Sequence, residues 1–389
     1  MSAPRPLASR MAAIAPFRVM AILKRARELE AEGRSIVHME IGEPDFSTAD
    51  PIVRAGQLAL AQGQTYYTPP AGLPELRSAI GSFYARRYGV SIAPERIIVT
   101  PGASGALQLV LSVLVGPGDE VLMSDPGYPC NRNFVRLCEG VPVEISTAAD
   151  SDYQLSAADC ESHWCKRTVA ALVVSPANPT GAVLSLANLQ QLQSCVSRNN
   201  GRLIVDEIYH GLTYGIDAPT VLAVTDQAFV VNSFSKYFGM TGWRLGWLVA
   251  PHEYVESLEM LAGNLFLAPS TIAQHAALAA FSDDTLSVLE TRREEFKVRR
   301  DYLLPELRQL GFTIGSEPAG AFYIYAGCEK WSSDSEQFCR DLLDQAGVAI
   351  TPGADFGQHA AATQLRFAYT TSLDQLREGV RRIAQWLPR

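Results

Sequence analysis

No two of the seven cysteines form a CxxC pair, and their number is odd. This argues against a zinc knuckle and against a disulfide framework, and points to reduced thiols in a cytoplasmic protein. The six histidines show no HExxH or other paired spacing, so no metal site is expected. No apolar run approaches the roughly eighteen residues needed to span a bilayer. Positive charge is also scarce: 33 lysines and arginines stand against 41 acidic residues, a formal balance of −8. Such a chain has no basic field to gather nucleic acid or an anionic membrane. The opening MSAPRPLASRMAAIAPFRV lacks the unbroken apolar stretch and the cleavage site of a signal peptide.

What is present is ordinary globular material, 47% hydrophobic and 19% charged over 389 residues, enough for two domains. Between residues 96 and 250 come seven short apolar runs: RIIVT, EVLMS, VPVEI, VAALVVS, RLIVDE, AFVVNS and LGWLVA. Helical stretches such as 103–115 and 185–198 separate most of them. Near-continuous apolar strands alternating with helices predict a largely parallel sheet covered on both faces. Before this block, helical spacing of Val19, Ile22, Leu23, Ala26 and Leu29 predicts a helix over 17–32, then a short strand over 35–41 and a helix over 73–88. After it, a charged helix over 284–310 leads to short strands near 312–314, 321–326 and 364–369. Helices are expected at 333–346 and 372–387. That mixture predicts a smaller α+β domain. The first helix has no place in the large sheet and is expected to pack with the C-terminal part.

In open α/β sheets, ligands gather beyond the carboxyl ends of the strands. The residues just after each apolar run are therefore informative. PGASGAL comes after the first; the free N–H groups of Ala103 and Ser104 either face an anion or simply begin a helix. Tyr128, between Gly127 and Pro129, is either a packing residue or a ring that stacks on a planar ligand. Asn178, between Pro176 and Pro179, either closes its turn or offers an amide to a ligand. Asp206 ends an apolar strand, where a lone carboxylate is costly, so it needs a partner in the protein or in a ligand. Tyr209 lies three residues on. The stretch NSFSKYFGMTGWRLG sets Ser233, Ser235 and Lys236 near Arg244, whose guanidinium can grip a phosphate with two N–H groups. Taken alone, these could be a solvated lysine and an arginine bracing a loop. Arg366, in LRFAYT, calls for a carboxylate from the protein or from a substrate.

One molecule uses all of these groups: a phosphate to be cradled, a planar ring to be stacked, a ring nitrogen to be kept protonated, a phenolic oxygen and an aldehyde for a lysine. That molecule is pyridoxal 5′-phosphate, an electron sink. The motifs IGEPDF, YYTPPAGLPELR, PANPTG, DEIYHGL, SFSKYFGMTGWRLG and LRFAYT, in that order and spacing, resemble those of the class I/II aminotransferases. The likeness runs from about residue 15 to the end. It implies fold type I of the pyridoxal-phosphate enzymes: an α/β large domain with a mostly parallel seven-stranded sheet sandwiched by helices, plus a smaller α+β domain. The implied division is an N-terminal segment 1–48 packing with the small domain, a large cofactor-binding domain 49–283 and a small domain 284–389.

The resemblance also implies roles. Lys236 would carry the cofactor covalently and act as the acid–base group. Asp206 would keep the ring nitrogen protonated, Asn178 and Tyr209 would bond the phenolic oxygen, and Tyr128 would stack on the ring. Ala103, Ser104, Ser233 and Arg244 would hold the phosphate, with Ser235 as a further candidate. Tyr67 would reach the phosphate of a neighbouring subunit's cofactor, which implies a homodimer with shared active sites. Arg366 would bind the substrate α-carboxylate, with Gly42 and Asn178 close to it. Dicarboxylate-specific relatives place a basic residue after the glycine turn or in the region that here reads GNLFLAPST; this sequence has Ser104 and apolar residues instead. The expectation is therefore a neutral or aromatic L-amino donor with 2-oxoglutarate or pyruvate as acceptor, by ping-pong kinetics. Phe17, Phe266 and Tyr66 are candidate pocket walls. An aspartate aminotransferase and a C–S β-lyase on the same scaffold are the alternatives. A regulator built on this fold would need a DNA-binding domain, for which the acidic chain leaves only about fifteen residues before the likeness begins.

Overall fold

The computed structural model describes residues 7–14 and 16–388; residues 1–6, Ala15 and Arg389 lie outside it, and with them parts of the expected segments 1–48 and 284–389. The chain runs through α1 (Arg18–Ala31), β1 (Val37–His38), α2 (Asp50–Ala61), α3 (Pro74–Tyr88), β2 (Ile97–Thr100), α4 (Gly102–Leu114), β3 (Glu120–Asp125), α5 (Pro129–Leu137) and β4 (Val141–Ser146). It continues through α6 (Ala157–His163), β5 (Thr168–Val174), α7 (Leu186–Arg198), β6 (Arg202–Asp206), β7 (Phe229–Ser233), β8 (Gly246–Val249), α8 (Val255–Phe266) and α9 (Thr271–Leu278). The remainder is α10 (Asp283–Leu310), β9 (Tyr323–Gly327), α11 (Ser335–Asp341), β10 (Val348–Ala349), β11 (Thr351–Pro352), β12 (Gln364–Ala368) and α12 (Leu373–Trp386).

The seven apolar runs form one seven-stranded sheet of order β2-β8-β7-β6-β5-β3-β4. All neighbours are parallel except that β8 is antiparallel to β2 and β7. The exception has a local cause. Residues 234–245 contain no crossover helix, so the chain can only turn back beside β7. Both faces are buried, as the unbroken apolar runs require. Leu203 and Val205 of β6 and Val230 of β7 join one apolar cluster, while Ile204, Phe229 and Val231 join another.

A separate antiparallel sheet, β11-β12-β9, follows α10, and β1 pairs in parallel with β10. The start of α1 has no local side-chain cap. Asp355 supplies one from the far end of the chain, accepting the backbone N–H groups of Arg18 at 2.9 Å and Val19 at 3.3 Å. The strand expected over 312–314 is not formed. Only Thr313 bridges to Gly327, because the turn through Gly315 and Pro318 ends the ladder at once. The helix expected over 333–346 is α11 followed by one wider π-type turn, Leu342–Ala346.

Candidate active site

A cavity of about 480 Å³ opens beyond the carboxyl ends of β5, β6 and β7. Gly42, Ala103, Ser104, Tyr128, Asn178, Asp206, Tyr209, Ser233, Ser235, Lys236, Arg244 and Arg366 all line it. Tyr67 does not; it is 82% exposed in the single chain. Of the three expected wall residues only Phe17 is present, packed edge-on to Tyr128 with ring centroids 6.0 Å apart. Phe266 instead lies against α4, near Gly105, and Tyr66 is turned outward. Val19, Met20 and Ile41 complete the apolar wall, which brings α1 over the cavity.

One end of the cavity is built for an anion. Helix α4 starts after Pro101 without a side-chain cap, so its first N–H groups keep their donors free. Gly102 has φ +72°, and a Cβ there would lie 2.6 Å from Nη2 of Arg244. A Cβ on Gly246 would lie 2.7 Å from the Gly102 carbonyl carbon. Only glycine at both positions lets the helix start and the guanidinium meet. Arg244 itself, at φ +55°, donates to the Thr241 carbonyl at 3.0 Å and pairs with no carboxylate among the described residues. The Ser233 hydroxyl lies 2.9 Å from that of Ser235.

At the other end, Arg366 is 4% exposed. It donates to Asn178 Oδ1 at 2.9 Å, to the Glu40 carbonyl and to Thr351 Oγ1, while its Nε has no partner. Its guanidinium lies 4.3 Å from the Tyr323 ring centroid and 4.8 Å from that of Phe356. A buried guanidinium held only by neutral groups awaits an anion.

Between the two ends, Lys236 Nζ donates to the Gly42 carbonyl at 2.6 Å. Burial pulls its pKa down to about 8; Glu43 at the mouth opposes this, and Arg366 and Arg244 reinforce it. Asp206 accepts the Ile208 N–H at 3.0 Å, and burial raises its pKa to about 7 against that bond and the charge of Lys236. A cationic N–H donor in the cavity would satisfy this carboxylate. Three cations therefore face Asp206 and Glu43, an arrangement suited to a ligand with two anionic ends and a protonated ring.

Two groups escaped the sequence reading. Tyr323, in AFYIY, reads as a strand residue, yet its hydroxyl lies 2.9 Å from that of Tyr209 inside the cavity. Glu43, in IGEPDF, accepts the Thr241 hydroxyl at 2.6 Å. Only its place in a glycine- and proline-bounded turn marked it out.

The family model described as "Aminotransferase class I and II" matches residues 34–383. The chain belongs to the class I and II aminotransferases. A valine–pyruvate aminotransferase of Mycobacterium tuberculosis is 36% identical over 97% of each chain. An aspartate/prephenate aminotransferase of Thermus thermophilus is 36% identical over 99% of this chain and all of that one. The crystal structure of an aminotransferase from Mycobacterium tuberculosis superposes with a TM-score of 0.96 at 35% identity, covering 99% of this chain and 100% of that one. This aminotransferase thus has the type I fold and uses pyridoxal 5′-phosphate, and its cavity fits that group. The uncapped helix start beside Arg244 suits the phosphate, and the under-bonded Asp206 suits a ring N–H. The lowered amine of Lys236 suits an aldehyde. No helix among the described residues is long and apolar enough to cross a membrane.

Proposed function

We propose that this aminotransferase moves an amino group from a neutral or aromatic L-amino acid to 2-oxoglutarate or pyruvate. The observation that carries the donor class is the charge inventory of the cavity. Among the described residues of the single chain its only basic side chains are Lys236, Arg244 and Arg366, and the chemistry needs all three. None among the described residues remains for a distal carboxylate, and Phe17, Val19, Met20 and Ile41 give the cavity an apolar wall. Arg18, next in sequence to Phe17, is turned away onto the Ala354 carbonyl and Glu336. The valine–pyruvate relative supports this donor class, and the aspartate/prephenate relative marks its main competitor.

When bound, pyridoxal 5′-phosphate supplies an aldehyde and a protonated ring that withdraws electrons from the substrate α-carbon. The side chains do the rest. Arg244, Ser233, Ser235 and the N–H groups of Ala103 and Ser104 hold the phosphate. Asp206 holds a proton on the ring nitrogen, Asn178 and Tyr209 bond the phenolic oxygen, and Tyr128 covers the ring. Arg366, with Asn178 and Gly42 beside it, fixes the α-carboxylate by its planar fork. Lys236 Nζ would take the proton from the substrate α-carbon as base and then deliver a proton as acid, which its lowered pKa allows near neutral pH.

A donor panel tests the reading. Valine, alanine and phenylalanine should be turned over with a 2-oxo acid acceptor at a kcat/KM at least about tenfold above aspartate. Arg366→Leu should cut kcat/KM for every donor alike, by roughly 10²-fold or more, because it removes the contact common to all. Faster turnover of aspartate would return the assignment to the aspartate aminotransferases. Ammonia and pyruvate released from a cysteine conjugate without an acceptor would favour a β-lyase.

The assembly belongs to the same proposal. Tyr66, Tyr67, Met260 and Leu267 are 84%, 82%, 66% and 58% exposed. The segment 66–70 packs on α8 and α9, through Thr271 Oγ1 to the Tyr66 carbonyl at 2.6 Å and Pro70 against Gly263. So much bare aromatic and aliphatic surface supports a homodimer in which Tyr67 reaches the partner's cofactor phosphate. Equilibrium sedimentation should give twice the mass of the 389-residue chain; a monomer that is active would remove Tyr67 from the site. The seven unpaired cysteines support a cytoplasmic setting.

A further inference from the structure

Tyr323 opens β9, is 1% exposed, and touches three parts of the site at once. Its hydroxyl lies 2.9 Å from that of Tyr209, with the two rings nearly perpendicular at 82°. In the β9–β12 ladder Tyr323 faces Ala368 and Tyr325 faces Arg366, so Tyr323 and Arg366 share one face of the sheet. The Arg366 guanidinium accordingly rests 4.3 Å from the Tyr323 ring centroid. On its other side stands Gly42, where any Cβ would lie 1.9 Å from the Tyr323 hydroxyl oxygen. The Gly42 carbonyl is the acceptor that holds Lys236 Nζ.

A phenol has one proton and two lone pairs. Among the described residues the Tyr209 hydroxyl has no protein partner except Tyr323. If Tyr209 donates to Tyr323, it presents only lone pairs to the cavity. If Tyr323 donates to Tyr209, the Tyr209 proton is free to point inward. An anionic oxygen in the cavity favours the second arrangement, since hydrogen bonds in series polarise one another and the bond to the anion is charge-assisted. Burial raises the Tyr209 pKa well above the usual phenol value, so its proton stays in place.

We propose that Tyr323 is a positioning residue whose O–H donates to Tyr209 and so aims the single Tyr209 proton at the cofactor's phenolic oxygen, while its ring supports the Arg366 fork. This rests on the reading that Tyr209 faces that oxygen. Tyr209 and the proton on the lysine-derived nitrogen compete for the same phenolic oxygen. Weakening the Tyr209 donor leaves that nitrogen holding its proton more tightly, and the pH midpoint of the cofactor's visible absorbance rises.

Tyr323→Phe removes the hydroxyl and keeps the ring. In the dimeric holoenzyme its absorbance midpoint should rise by about 0.5–1 pH unit, the worth of one hydrogen bond. KM for the amino donor should stay within roughly twofold, since the ring under Arg366 remains. Tyr209→Phe should raise the midpoint at least as far, and adding Tyr323→Phe to it should raise it no further. A midpoint unmoved in Tyr323→Phe while Tyr209→Phe shifts it overturns the Tyr323 role alone, as do two shifts that add in the double variant. A midpoint unmoved in Tyr209→Phe overturns the placement of Tyr209 and the proposal with it.

Discussion

Lys236→Ala should abolish transamination, with kcat reduced at least about 10⁴-fold, because in the proposed mechanism one nitrogen serves as both the attachment point and the acid–base group. The fold should survive. Lys236 makes one hydrogen bond, to the Gly42 carbonyl, and otherwise opens onto the cavity. Among the described residues no other lysine or histidine lines the cavity to take over the proton. The variant should still bind cofactor through the phosphate and ring contacts, without the visible absorbance of the lysine-linked form. Circular dichroism and a stopped assay on the same sample separate loss of chemistry from loss of structure. A rate within tenfold of the wild type would mean that another base moves the α-proton.

Asp206→Asn should have the next largest effect, a fall of roughly 10²–10³-fold in kcat with the protein still folded. An amide cannot balance a protonated ring nitrogen, and an unprotonated ring accepts electrons poorly. The same substitution has a signature that needs no cofactor. Asp206 has its pKa raised from 3.8 to about 7 in the folded chain. Folded protein thus binds this proton more tightly than unfolded protein, so the group's stabilising contribution is complete below about pH 3.8 and is lost as the pH rises through about 7. In cofactor-free protein the Tm of wild type relative to Asp206→Asn should therefore decline across that window. A difference in Tm independent of pH would mean that Asp206 already has a cationic partner in the folded chain.

The large sheet was legible because strands buried on both faces leave continuous apolar runs, and every one of the seven became a strand. That these candidate residues gather at one cavity was legible for a related reason. Asn178, Asp206 and Lys236 are polar residues set at or within a few residues of the ends of such runs, where the sheet ends and ligands bind. The two-residue strands β10 and β11 carry no such signal: they are defined only by their partners, Val37–His38 and Leu365–Arg366. Helix α2 buries only Ile52, Gly56 and Ala59, too small a stripe to stand out in sequence. Tyr323 was hidden because its contact in the cavity is with a neighbour 114 positions earlier, and the Asp355 cap on α1 because it comes from more than 330 positions away.

The attachment of the cofactor can be read directly. Holoenzyme reduced with borohydride, digested and mapped by mass spectrometry should carry the phosphopyridoxyl mass on the peptide containing Lys236, and on no other. A label on a different lysine, or none on a protein fully supplied with pyridoxal 5′-phosphate, would contradict the account of this site.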